Sequence, residues 1–127
     1  MKKLLAFCLC ALALIACDKQ KNEVLKVQRW PDVVKQYEFL QDFPAYDYEM
    51  ENVQYSNLFG MKQVSFFDYD CPTSNFENYK TRLSASEFEV TSDMGNSMTY
   101  GRKTNDASLI IILTYTGKNL TCQYTRQ

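Results

Sequence analysis

From Tyr48 onward the hydrophobic positions alternate between two periods. Val53 and Tyr55 are interleaved with Asn52, Gln54 and Ser56, which is the spacing of a half-buried strand. Asn57 to Gly60 supplies a turn, and KQVSFFDYD at 62–70 alternates again up to Cys71. Ser74 followed by Glu77 then predicts a capping box opening a helix. Phe76, Tyr79 and Leu83 would share one face of that helix at i, i+3 and i+7.

The remainder reads as a meander. FEV at 88–90 starts a strand, 93–96 turns, and Met98 and Tyr100 alternate in the next strand. Thr104 to Asp106 turns again. The run SLIIILTYT is apolar almost without alternation, which predicts a central strand covered on both faces. Gly117-Lys118 suits a two-residue hairpin whose first position needs positive φ. The last strand, NLTCQYT, turns Leu120, Cys122 and Tyr124 to one side. The expected fold class is α+β: ββα followed by a β-meander, an antiparallel sheet with one amphipathic helix packed on a face.

Ahead of this lies RWPDVVKQYEFLQDFPAYDYE, punctuated by Pro31 and Pro44. Two readings stand. One is a short helix with Pro31 in its first turn and Val33, Val34, Tyr37 and Leu40 along one side, stopped before Pro44. The other is an extended arm that packs Trp30 and Phe43 on the domain.

The amino terminus has a different pattern. Lys2 and Lys3 precede an apolar run from Leu4 to Ala16, too short for a membrane-spanning helix of about 20 residues. A basic start, a short apolar stretch and small residues at its end are the features of a secretory leader. It closes on Leu14-Ile15-Ala16-Cys17, a tetrad that resembles the lipobox of bacterial lipoproteins. The resemblance implies cleavage before Cys17 and a lipid on its thiol, so that the protein is held at a membrane of the cell envelope. It covers only about the first twenty residues and leaves open which membrane. Residues 1–16 are then the leader, 17–29 the lipidated terminus and tether, and 30–127 a single domain.

Charge and cysteine content follow from that division. Two of the 14 basic residues lie in the leader, so the 15 acidic residues outnumber the basic ones in the rest of the chain. That balance opposes nonspecific nucleic-acid binding, which needs a basic face. Of five cysteines, Cys8 and Cys10 leave with the leader and Cys17 takes the lipid. Cys71 and Cys122 remain in an oxidising compartment, which favours a disulfide; the alternative is two separate buried thiols.

Candidate chemistry is sparse. With no histidine, serine–histidine and cysteine–histidine catalytic sites are excluded, and with them the histidine-containing zinc patterns. No phosphate-binding glycine loop is present among the four glycines. Asp68 and Asp70, at i and i+2 on one strand face, are the only carboxylate pair that could act as acid and base or hold calcium. No catalytic residue, metal site or cofactor is expected. Nine tyrosines and eight phenylalanines point instead to recognition or to an aromatic core. Tyr46, Tyr48, Tyr55 and Tyr69 are the candidate binding patch.

These features favour a tethered, non-enzymatic binding or accessory module with an envelope protein or cell-wall partner. An inhibitor or immunity protein against a cell-wall hydrolase or toxin is a narrower version. A passive structural component is the bland alternative.

Overall fold

The computed structural model describes residues 27–127; the leader and the lipobox at 14–17 lie outside them. The chain forms strand β1 (Val27–Gln28), helix α1 (Trp30–Gln36), a 3₁₀ turn (Glu38–Asp42) and strands β2 (Met50–Leu58) and β3 (Met61–Asp68). Helix α2 (Thr73–Ala85) follows, then strands β4 (Glu89–Asp93), β5 (Ser97–Lys103), β6 (Ser108–Tyr115) and β7 (Leu120–Arg126). All strands join one antiparallel sheet in the order β1-β2-β3-β7-β6-β5-β4. The α+β class with an antiparallel sheet is thus observed. The last strand returns to the middle, pairing β3 on one side and β6 on the other. Because Val27 already pairs with Glu51, the sheet begins inside the segment read as tether.

Helix α2 lays Phe76, Tyr79 and Leu83 into the core, as their spacing predicts. The capping box does not form. Pro72 occupies the cap position, and its carbonyl accepts from the amides of Asn75 (3.0 Å) and Phe76 (3.3 Å). Ser74 therefore falls inside the first turn, and Glu77 pairs with Lys80 at 3.3 Å instead. At its other end the helix closes in a Schellman arrangement: the Phe88 amide reaches Leu83 and the Glu87 amide reaches Ser84, with Glu87 in the left-handed region.

Residues 30–49 combine both readings of that segment. α1 supplies buried Trp30 and Val33, the 3₁₀ turn supplies Phe39 and Leu40, and an extended stretch then buries Phe43 and Tyr46. These residues and α2 cover one face of the sheet. Val64, Phe66, Ile111, Leu113, Cys122 and Tyr124 point into that core.

The other face is open, which corrects the expectation for β6. Burial alternates along the strand: Leu109, Ile111, Leu113 and Tyr115 are buried, while Ile110, Ile112 and Thr114 are only half-buried. The cross-strand partners of Ile110 and Ile112 are Thr125 and Gln123, so their neighbours on that face are polar. Strand β6 is interior to the sheet yet covered on one side.

Candidate functional site

The four candidate tyrosines do not form a patch. Tyr46 is fully buried, with its ring edge-on to Tyr79 at 4.9 Å and tilted against Phe66 at 5.0 Å. Tyr48 is half-buried against the Tyr46 ring at 5.4 Å. Tyr69 follows the last residue of β3 and is exposed, stacked on Phe67. Tyr55 is exposed on β2, where it stacks on Tyr37 at 4.8 Å. The dispersal arises because the stretch before β2 folds back over the core face and carries Tyr46 inward.

Asp68 is the hydrogen-bond partner of the Tyr46 hydroxyl and is itself buried. Burial raises the pKa of both groups: desolvation disfavours the carboxylate and the phenolate alike. Asp70 goes elsewhere. Strand β3 ends at Asp68, and Asp70, in the left-handed region at φ 57, is exposed and pairs with Lys118 at 3.6 Å. The two carboxylates therefore do not converge on one substrate position. Among the described residues no group of three or more His, Cys, Asp or Glu could hold a metal ion.

The expected disulfide is absent: Cys71 and Cys122 are both free thiols, and both are buried. Alternation along β7 sends Cys122 into the core opposite Phe66 and Leu113. Cys71 follows the turn at Asp70, with its sulfur 3.5 Å from the Pro72 carbonyl and 3.9 Å from the Tyr46 hydroxyl. Burial pushes both thiol pKa values up, leaving little nucleophilic thiolate. Alkylation of the native protein, followed by mass spectrometry, is expected to leave both thiols unlabelled. Labelling in urea without a reductant should then modify both; two sulfurs that react only after reduction would contradict the free-thiol state.

The surface carries its exposed apolar side chains unevenly. Strands β2 and β3 are joined by a two-residue turn, Phe59-Gly60, between the partners Leu58 and Met61. Both turn residues have positive φ, 54° and 78°, as a type I′ hairpin requires. Gly60 suits that conformation and Phe59 does not, since a bulky L-residue there costs about 1–2 kcal/mol. Phe59 is 96% exposed and Leu58 61%, with Met61 and Tyr55 also exposed. Lys62 adjoins them and has no ion-pair partner among the described residues. Strand β1 covers the edge of β2 only at Met50 and Glu51. The hairpin runs one pair, Leu58 and Met61, past the last β3–β7 pair at Lys62 and Arg126, and it closes on an exposed apolar tip. Its sequence signal was a Phe immediately before Gly at the point where two alternating runs meet.

A broad open groove of about 1010 Å³ lies at the other side of the sheet, lined by Phe88, Arg102, Lys103, Leu109 and Ile110 among others. Arg102 approaches Glu87 at 4.0 Å and lies over the Phe88 ring at 5.9 Å. No helix among the described residues is long and apolar enough to cross a membrane. In comparisons with family models, curated proteins and solved structures, nothing matches this chain.

Proposed function

We propose that this chain is a membrane-tethered envelope lipoprotein that works by binding rather than catalysis, with the β2–β3 hairpin as its contact surface. The lipobox-like Leu14-Ile15-Ala16-Cys17 supports the tether. The buried position of Asp68 and the separation of Asp70 from it favour binding over carboxylate chemistry.

One observation carries the reading. Phe59 combines near-complete exposure with a left-handed backbone, at a turn position where Asn before Gly would fold better. Backbone strain kept at an exposed aromatic points to a use for that side chain. In the producing cell, the double variant Leu58→Ser/Phe59→Asn is expected to behave like a deletion. Its thermal midpoint should equal or exceed that of the parent, because Asn relieves the turn. Asp68→Asn should retain function. A hairpin variant that works normally while Asp68→Asn fails would reject the binding reading in favour of chemistry at the carboxylate.

A further inference from the structure

The partner of the hairpin tip follows from its shape, its charge and the direction of the chain. We infer that Leu58, Phe59 and Met61 enter the outer part of a phospholipid bilayer, the same one that holds Cys17. This rests on the lipid-tether reading proposed above and names the partner of that surface.

The tip is convex and small. One apolar side chain, Phe59, projects from the turn and two more, Leu58 and Met61, flank it on the closing pair, whereas a stable protein interface buries about 800 Å² on each partner over a broad, complementary patch. Lys62 follows Met61 directly and is exposed. A lysine beside an apolar tip can lie along it and place its ammonium among acidic headgroups. Lys103, at the end of β5 next to Ser108, lies at the same end of the sheet without an ion-pair partner among the described residues, whereas Asp42 and Asp106 at that end are both paired with Arg126.

Chain direction gives an independent constraint. Strand β1 is antiparallel to β2, with Val27 opposite Glu51 and Gln28 opposite Met50. β2 runs toward the tip, so the chain enters Val27 from the tip side of the sheet. From Glu51 to Phe59 is about 26 Å at the rise of a strand. The ten steps from Cys17 to Val27 can span up to about 35 Å. A lipid on Cys17 can therefore lie in the plane of Phe59, and anchor and tip can meet one bilayer together. Tip insertion adds a second attachment and so fixes the orientation of the domain on the membrane.

The test uses the full chain, purified from membranes with its lipid and returned to vesicles of phosphatidylethanolamine and phosphatidylglycerol carrying brominated acyl chains. Phe59→Trp is compared with Met94→Trp, an exposed apolar site in the β4–β5 turn at the opposite end of the sheet; Trp30, buried in both, is subtracted using the parent protein. The expected result is a shift to shorter wavelength and loss of emission for Phe59→Trp, with neither for Met94→Trp. A Phe59→Trp probe that is unquenched, or quenched no more than Met94→Trp, in protein whose intact mass shows acylated Cys17 overturns this inference and leaves the tether standing. An unmodified Cys17 removes the tether and this inference with it. A probe silent toward vesicles but shifted by extracted envelope proteins assigns the tip to a protein partner and also overturns it.

Discussion

Replacing Tyr124 with alanine is expected to cost about 3–5 kcal/mol, the range for truncating a buried aromatic. Tyr124 sits in the central strand β7 with no exposed surface. Its ring meets Trp30 at 5.4 Å, Phe43 at 5.3 Å and Phe66 at 5.9 Å. It therefore joins α1, the extended stretch before β2 and the sheet. Its hydroxyl lies 2.8 Å from that of Tyr79, which itself donates to the Pro44 carbonyl at 2.8 Å. With the Tyr79 proton committed to Pro44, Tyr124 is the donor between the two rings. Tyr124→Phe removes that one bond but leaves Tyr79 with its carbonyl, so its cost is about 1 kcal/mol. In a domain of this size the alanine variant should melt at least about 12 °C lower. Equal losses for the two variants would mean that the hydroxyl, rather than ring packing, holds the segments together.

The second large effect is expected at Tyr46. Tyr46→Phe leaves the buried Asp68 carboxylate without its phenol partner, a loss of about 2–3 kcal/mol at neutral pH. The pH dependence fixes the cause. Burial holds the Asp68 pKa above its unfolded value of 3.8, so between those two values the native state keeps a proton that the unfolded chain has released. Stability from this group is therefore highest below 3.8 and falls as pH rises through the folded pKa. The Tyr46 hydrogen bond opposes that rise; removing it deepens the penalty at neutral pH. Urea denaturation should show the gap between parent and Tyr46→Phe widening from acid to neutral pH. Asp68→Asn, which still accepts from Tyr46, should flatten this dependence. A gap that is constant with pH would show that the phenol contributes packing alone.

Much of the fold was legible because its strands alternate and its second helix has a single apolar face. Val64 and Phe66, or Phe76, Tyr79 and Leu83, declare their direction by spacing alone. The uniform run Ile110–Ile112 does not, since an all-apolar stretch says nothing about which faces are covered. The turn after β2 was expected over 57–60, yet Asn57 and Leu58 are drawn into the ladder by Lys62 and Met61; hairpin closure needs only Phe59 and Gly60. The candidate site was less legible. Tyr46 meets Asp68 across 22 residues, and its burial depends on how the preceding segment folds back, which local pattern does not encode. Cysteine count likewise fixes neither the direction of Cys122 in β7 nor that of Cys71 after the turn. The turn itself could have been found, because a Phe before Gly between two alternating runs marks the point of closure; that Phe59 faces solvent in a strained backbone is what the structure adds.

The proposed membrane contact through a strained aromatic tip requires the proposed tether above all. Intact-mass analysis of the protein extracted from its own cells tests this most directly. The predicted product begins at Cys17 and carries the added mass of a diacylglyceryl group, with a further acyl chain where the new amino terminus is modified. A product retaining residues 1–16, or one beginning at Cys17 with an unmodified thiol, would contradict it.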